Sequence, residues 1–123
     1  MKQLIDRVHA HGLPYILHAC GNVLPIVDDL IEIELDGLES VQPEATDLVA
    51  LKQKAKGKLA LIGGMGVQQT MFSGTPALIR SETHRLQALL GEGGGYVLAP
   101  AKALDQDSTE NAVALIDAIL ESR

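Results

Sequence analysis

Four short apolar segments, each followed by a stretch with helical periodicity, constrain the fold of this chain more than any other feature. The predicted strands are about Pro14–Ala19, Leu38–Gln42, Lys58–Ile62 and Tyr96–Ala99. The predicted helices are Met1–His11, about Leu24–Glu34, Thr46–Lys56, Thr75–Leu90 and a last one that Ser108 or Thr109 opens and that runs to about Glu121. Strands that alternate with helices of this length form a parallel sheet with right-handed crossovers. The chain is therefore predicted to be α/β.

Four strand–helix units are compatible with two architectures. An open doubly wound sheet needs helices on both faces, whereas a (β/α)8 barrel needs eight such units in about 250 residues. At 123 residues the chain has the length of one domain and of half a barrel. Half a barrel would leave two strand edges and an inner face uncovered. Half a barrel would therefore need a second half to cover these edges and this face.

The composition excludes several classes of partner. With 46% apolar and 21% charged residues, the chain resembles an ordinary globular protein. Its net charge of -6 argues against nucleic acid or an anionic membrane as a partner. No apolar run reaches the roughly 18 residues of a membrane span, and Met1–Arg7 lacks the apolar region of a signal peptide. Cys20 is the only cysteine, so no intrachain disulfide can form, and a cytoplasmic location is the default expectation.

The first predicted strand ends in a cluster of reactive residues. Side chains alternate between the two faces of a strand, so His18 and Cys20 project from the same side at its end. An imidazole nitrogen and a thiolate placed in this way can hold one metal ion, such as zinc. Gln42 or Glu44, at the end of the next strand, could add an oxygen ligand. The alternative is a structural pair, with a histidine bonded to a backbone carbonyl and an inert buried cysteine.

The string His18-Ala19-Cys20-Gly21-Asn22 resembles the H-x-C-G-N motif of the uroporphyrinogen decarboxylase superfamily, which also contains corrinoid-dependent methyltransferases. Further similar stretches follow in the same order along nearly the whole chain. They are Asp36-Gly37-Leu38, Gln42-Pro43-Glu44, Gly63-Gly64, Gly74-Thr75-Pro76, Gly93–Leu98 and Glu110-Asn111. The resemblance covers what would be the C-terminal half of a family member, barrel strands five to eight.

The resemblance implies a TIM-type (β/α)8 barrel with its active site at the carboxyl ends of the strands. Together with the strand count, it predicts that residues 1–123 form a single partial-barrel domain, half of such a barrel, with four strands and about five helices. This half is expected to associate with a partner. The partner is either a second copy, in a twofold homodimer, or a missing N-terminal half.

Two kinds of chemistry are implied by the family. Its decarboxylases remove the acetate carboxylates of a tetrapyrrole, in porphyrin biosynthesis, without any cofactor. Its methyltransferases use zinc, held by the histidine and cysteine of the motif and by a later cysteine, to activate a thiol for methyl transfer from a corrinoid. His18 and Cys20 match the first two zinc ligands. A tetrapyrrole or a methyl donor would be the small-molecule ligand.

Two positions depart from the family pattern. Lys102 occupies the place where zinc methyltransferases have the later cysteine and decarboxylases usually a histidine, and a protonated lysine is a poor metal ligand. Gly66 occupies a place where many relatives have an aspartate. The third zinc ligand is therefore not identified. No catalytic residue is assigned either, because the catalytic aspartate and the substrate-binding arginines of the decarboxylases belong to the N-terminal half.

Three residues at strand ends are candidates for substrate binding, namely Asn22, Gln42 and Lys102. Lys102 could pair with an anionic group at the barrel mouth, or it could be a solvated loop residue. Asn22 could equally be a turn or helix-capping residue. The sequence thus predicts a decarboxylase-family domain that is incomplete and inactive as an isolated chain. The alternatives are a zinc-dependent methyltransferase-like domain and a degenerate, non-catalytic half-barrel.

Overall fold

A computed structural model describes residues 1–104 and 109–122 of the chain. Its helices are α1 (Lys2–His9), α2 (Val27–Glu32), α3 (Leu48–Ala55), α4 (Pro76–Gly91) and α5 (Thr109–Glu121). Its strands are β1 (Ile16–His18), β2 (Gly37–Val41), β3 (Ala60–Met65) and β4 (Tyr96–Pro100). A 3-10 turn at Leu24–Ile26 precedes α2, and a π-helical turn at Val67–Met71 follows β3.

The four strands form one parallel sheet in the order β1-β2-β3-β4. One helix joins each strand to the next, while α1 precedes β1 and α5 follows β4. Neighbours in the sheet are therefore neighbours in the sequence, as in a (β/α)8 barrel. A doubly wound sheet would instead reverse its strand order at one point. The predicted fold class, a parallel α/β sheet that forms half of a TIM-type barrel, is confirmed.

The core lies between the sheet and the helices. Its most deeply buried side chains come mainly from the strands on one side and from the helices on the other, among them Leu38 and Leu61 of the sheet and Ile79, Leu86 and Leu90 of α4. The helix α4 begins as the sequence predicts, because the Thr75 hydroxyl accepts a hydrogen bond from the Leu78 N–H and Pro76 takes the first helical position. Within the described residues, no helix has both the length and the apolar composition that crossing a bilayer requires.

The third strand is longer than the sequence predicts. It was expected to end at Gly63-Gly64 but continues through both glycines to Met65. These residues have φ values of 121° and 87°, a range that favours glycine, and the strand keeps its pairing with β4 through them. Glycine signals a turn in most sequences, and here it permits an irregular strand instead.

A bulge in β2 explains why β3 needs a glycine. The register between the two strands shifts between Glu39 and Val41, and Ser40 between them has a φ of 72°. A Cβ atom on Gly63 would lie 2.9 Å from the backbone nitrogen of Val41 and 3.2 Å from its carbonyl oxygen. The missing side chain therefore lets the bulged backbone of β2 approach β3 closely.

The segment after β3, predicted as a polar loop from Met65 to Thr75, contains the π-helical turn. Its last N–H group, on Met71, donates to the carbonyl of Gly66 over 2.9 Å. The buried Asn111 of α5 donates to the carbonyls of Met71 and Gly74, both over 2.9 Å. This amide anchors the segment to α5, which begins at Thr109. Ser108, the alternative start of that helix, lies outside the described residues.

The inner face of the sheet is open. Alternation along the strands, together with the cross-strand register, places Ile16, Glu39, Ile62 and Val97 on the side that faces away from the helices. The Ile16 and Val97 residues are 50% and 56% exposed. In a closed barrel this face would be the packed interior.

Candidate functional site

The residues that the sequence analysis singled out lie at the carboxyl end of β1. His18 and Cys20 point to the same side, and the Nε2 atom of His18 lies 3.2 Å from the Sγ atom of Cys20. Both residues are exposed, on the open inner side of the sheet. In this structure His18 bonds to the side chains of Glu39 and Cys20, and not to a backbone carbonyl as in the alternative interpretation.

A carboxylate bonds to the ring nitrogen of His18 that does not face Cys20. Glu39 is the residue opposite His18 in the parallel register, and its Oε2 atom bonds to the Nδ1 atom of His18. The side chain of Glu39 is about one-third exposed, so the pair is only partly shielded from water. This bond sets the orientation of the ring and leaves Nε2 directed at the sulfur.

The bulge in β2 brings a hydroxyl group to the same place. Ser40 is buried, its Oγ atom lies 3.5 Å from the Sγ atom of Cys20, and its hydroxyl donates to the carbonyl of Ala101 over 2.6 Å. Ala101 directly follows β4. The serine thus connects the end of β1 with the segment after the last strand.

The turn after Cys20 is fixed by residues that follow β2. Gln42 accepts a hydrogen bond from the N–H of Gly21 through its Oε1 atom over 2.7 Å. The hydroxyl of Thr46 donates to the carbonyl of Gly21 over 3.0 Å and accepts from the N–H of Val23 over 3.4 Å. Gly21 itself has a φ of 88°, which a residue without a Cβ adopts easily. These contacts fix the backbone turn that follows Cys20, and they thereby fix the position of the cysteine.

The remaining predicted site residues are not part of the cluster formed by His18, Cys20, Glu39 and Ser40. Asn22 is exposed, and its Oδ1 atom accepts from the N–H of Leu24 over 3.2 Å, as a turn residue does. Lys102 is exposed in the segment after β4, and within residues 1–104 and 109–122 no hydrogen bond joins it to His18 or Cys20. Glu44 is also exposed.

Although residue 66 is a glycine, a carboxylate lies beside it. A Cβ atom on Gly66 would lie 2.6 Å from the Oε1 atom of Glu44 and 3.1 Å from the Cγ atom of Pro43. The Glu44 side chain therefore fills the space in which a side chain at position 66 would begin. The chain has no aspartate there, but it keeps an acidic group at the same corner of the sheet.

His18 and Cys20 each shift the pKa of the other. The hydrogen bond that His18 donates to Glu39, followed by the one with Cys20, raises the pKa of His18 above its ordinary value. The hydrogen bonds with Ser40 and with His18 lower the pKa of Cys20. Ser40 has a single proton, which its 2.6 Å bond to Ala101 already uses. When Cys20 ionises, the thiolate is therefore stabilised mainly by the protonated form of His18.

This pair predicts the pH dependence of the thiol. Because its pKa is lowered, we expect Cys20 to react with iodoacetamide at a lower pH than an ordinary cysteine does. In His18→Ala the midpoint of the rate-against-pH curve should rise towards that of a free thiol, while Ser40→Ala should move it less. Mass spectrometry of timed alkylation reactions measures both midpoints. A larger shift of the midpoint in Ser40→Ala than in His18→Ala would contradict the view that the Ser40 hydroxyl proton is donated to the Ala101 carbonyl and not to the thiolate.

The donor atoms of His18 and Cys20 fit two corners of a tetrahedral zinc site. Zinc bonds of about 2.0–2.1 Å to nitrogen and about 2.3 Å to sulfur place two such ligands roughly 3.5 Å apart, and the observed separation is 3.2 Å. Glu39 bonds to the opposite ring nitrogen, which is how carboxylates orient zinc-bound histidines. Among the described residues, no group of three His, Cys, Asp or Glu side chains converges on one point. The described part of the chain thus offers two ligands.

Glu39 and Ser40 are the site residues that the sequence analysis missed. Their contacts depend on the register between β1 and β2 and on the bulge, and neither can be derived from local residue patterns. One signal was present. A charged residue in the middle of Leu38-Glu39-Ser40-Val41, a predicted strand of a parallel sheet, is unusual unless it has a function or a partner.

A family model and a solved structure are both similar to this chain. The family model described as uroporphyrinogen decarboxylase (URO-D) matches residues 1–121. Among solved structures, a methyltransferase from Methanosarcina mazei is similar to this chain, with a TM-score of 0.75 and 27% sequence identity. The similarity covers 99% of this chain and 35% of that one, so the chain spans about a third of the methyltransferase's length. No curated protein matches the chain.

Proposed function

Because the chain belongs to the uroporphyrinogen decarboxylase family, we propose that it is the half-barrel that carries a zinc site of the methyltransferase type. One observation carries this proposal. The Nε2 atom of His18 lies 3.2 Å from the Sγ atom of Cys20, while Glu39 holds the other ring nitrogen. The similarity to a methyltransferase supports the same choice. A cofactor-free decarboxylase would have no need for a thiol at this place.

The chain's own residues would prepare the site for the metal. Glu39 keeps a proton on Nδ1 of His18, so that Nε2 is the nitrogen that would lose its proton and present its lone pair when a metal binds. His18 stabilises the thiolate form of Cys20, which is the form that binds a metal. Bound zinc would act as a Lewis acid that lowers the pKa of an incoming thiol and makes it a methyl acceptor. The other ligands would come from outside the described residues of this chain or from water.

Three residues around the cluster are proposed to bind the substrate, which is a methyl donor in this interpretation. Asn22 and Gln42 carry amide groups at the carboxyl edge of the sheet, and the Gln42 amide already contacts the turn that holds Cys20. Lys102 is exposed after β4, where its charge can pair with an anionic group of a ligand. These roles are proposed from position and chemistry.

Metal titration tests the proposed function. The full chain should bind one zinc ion in the presence of excess metal, and weakly, because the two ligands that its described residues supply fill only half of a tetrahedral site. His18→Ala and Cys20→Ala should each abolish the binding, and His84→Ala, at an exposed position on α4, serves as the control. Zinc that remains bound in both variants, or no zinc in the wild-type chain, would contradict the zinc version of the proposal.

Decarboxylation of a tetrapyrrole is the second candidate, and the description of the matching family model favours it. We expect no decarboxylation of uroporphyrinogen by this chain alone, since the resemblance places the catalytic aspartate and the substrate-binding arginines of the decarboxylases in the N-terminal half of a family member, whereas this chain resembles the C-terminal half. Turnover by the purified chain would establish the decarboxylase and would overturn the expectation that another half is required. A chain with neither zinc binding nor turnover would be the degenerate half-barrel.

A further inference from the structure

We propose that a cavity at the amino edge of the sheet binds a phosphate group, either as the free ion or as part of a phosphomonoester. The cavity lies at the opposite end of the strands from His18 and Cys20, so the proposal does not rest on the zinc site. It follows from a buried ammonium group that has no carboxylate partner, from two further lysines, and from a glycine loop with unused backbone N–H groups.

The cavity lies between two loops that lead into neighbouring strands. One wall is the end of α3 with the loop before β3, and the other is the loop 93–95 before β4. Its volume is about 190 Å³, which corresponds to roughly six water molecules at about 30 Å³ each. Pockets for drug-sized ligands and cofactors measure about 300–1,000 Å³. The cavity therefore has the size for a small group such as an oxyanion and not for a nucleotide or a corrinoid.

Lys52 supplies a buried positive charge to this cavity. The residue is only 9% exposed, and its Nζ atom donates to the carbonyl of Leu90 and, over 3.2 Å, to the carbonyl of Gly94. An ammonium group has three N–H donors, so these two bonds leave one unused. Within residues 1–104 and 109–122, no carboxylate forms an ion pair with Lys52. Because buried charges are normally paired, an anion in the cavity would supply the missing opposite charge.

Two exposed lysines add charge at the mouth of the cavity. Lys56 and Lys58 both line it, and no acidic residue is among the described residues that do. Lys56 bonds to Glu92 over 3.2 Å, but both side chains of this pair are exposed, by 55% and 75%. An exposed ion pair contributes little, so Lys56 can turn to an anion at small cost. The cavity is thus locally positive in a chain whose net charge is -6.

The glycine loop adds uncharged donors. Gly93, Gly94 and Gly95 have φ values of 75°, 82° and 71°. The N–H of Gly94 donates to the carbonyl of Gly91 over 2.9 Å, whereas those of Gly93 and Gly95 have no protein acceptor within the described residues. Successive N–H groups in a turn form concave sites for anions. The loop precedes a strand, so no helix N-terminus takes part, and the positive charge comes from the lysines.

A phosphate group matches this donor set better than a carboxylate does. The donors come from α3 and from loops on two sides of the cavity, and the tetrahedral oxygens of a phosphate point in as many directions. Lysine binds phosphate as a point charge and does not need the planar geometry that pairs arginine with carboxylates. An alternative role for Lys52 is only to bond the last carbonyls of α4. That role does not account for its unused N–H group or for the two other lysines.

Calorimetric titration of the full chain in zinc-free, low-salt buffer tests the proposal, with inorganic phosphate and glycerol phosphate as separate probes. The wild-type chain should bind one phosphate group with a Kd on the order of 1 mM or tighter, and the probe that binds more tightly identifies the free ion or the monoester as the ligand. Lys52→Met removes the charge but keeps the length of the side chain, and it should weaken binding roughly 10–100-fold. Lys54→Met is the matched control on the same helix. Lys54 bonds to Asp28 outside the cavity, so binding should be unchanged.

A third variant separates anion binding from a purely structural role of Lys52. Glu92→Gln removes the carboxylate that competes for Lys56, and it should tighten phosphate binding by about two- to fivefold. Two results would overturn the proposal, namely no binding of either probe to the wild-type chain, or equal binding by Lys52→Met and Lys54→Met. If Lys52→Met does not fold by circular dichroism, Lys56→Met at an exposed position takes its place. Binding by that variant as tight as that of the wild type would equally contradict the proposal.

Discussion

Replacing Gly63 by alanine is expected to lower the free energy of unfolding by about 4 kcal/mol, an unusually large effect for one methyl group. The residue has a φ of 121°, which a residue with a Cβ adopts at a cost of roughly 1–3 kcal/mol. The added methyl would also lie 2.9 Å from the backbone nitrogen of Val41, and this backbone can move only if β2 moves. Such overpacking costs about 1–3 kcal/mol more. Urea denaturation of the two proteins measures the difference.

The matched control is Gly91→Ala. Gly91 is the last residue of α4, its φ is not positive, and a Cβ there would meet nothing within 4 Å. Alanine should therefore be neutral or should stabilise the chain by about 0.4–1 kcal/mol through the unfolded state. If both variants lost equal stability, the close approach of β2 and β3 would not be the reason for the glycine at position 63.

Replacing Glu39 by glutamine is expected to weaken zinc binding by roughly 10–100-fold, the usual effect of losing the carboxylate behind a zinc-bound histidine. The glutamine retains the size of the side chain and can still accept a hydrogen bond from His18, but it lacks the charge that makes the imidazole a better ligand. The fold should be unaffected because the carboxylate is partly exposed. Competition with a zinc-sensitive dye measures the affinity.

The control for this prediction is Glu44→Gln. Glu44 is an exposed acid at the same edge of the sheet, and its carboxylate lies beside Gly66 rather than beside the histidine. We expect zinc affinity to be unchanged in this variant. An affinity that fell in Glu44→Gln and not in Glu39→Gln would identify Glu44 as an oxygen ligand, and it would contradict the role given to Glu39.

The fold was largely predictable because its signals are local. Alternating apolar segments and helical stripes identify the strands and helices, and the Thr75-Pro76 pair marks the start of α4. The end of β3 was not predictable, since Gly63 and Gly64 are turn signals in isolation. Here Gly63 fits against the bulged β2, and both glycines continue the strand because they stay paired with β4. The π-helical turn depends in the same way on Asn111, which is distant in sequence.

The site was predictable only in part, for a related reason. The shared face of His18 and Cys20 follows from alternation along a single strand. The positions of Glu39 and Ser40 depend on how β2 is aligned with β1, which is decided by packing across the whole sheet. Sequence reasoning therefore recovered the two motif residues and missed the two that orient them.

X-ray absorption at the zinc edge tests most directly the claim that His18 and Cys20 bind zinc. In the zinc-loaded chain, the account predicts one sulfur at about 2.3 Å and one imidazole nitrogen at about 2.0–2.1 Å in the first shell, from Cys20 and His18. Lighter oxygen or nitrogen ligands should fill the remaining positions, and the sulfur should disappear in Cys20→Ser. Bound zinc with no sulfur in its first shell would contradict the account.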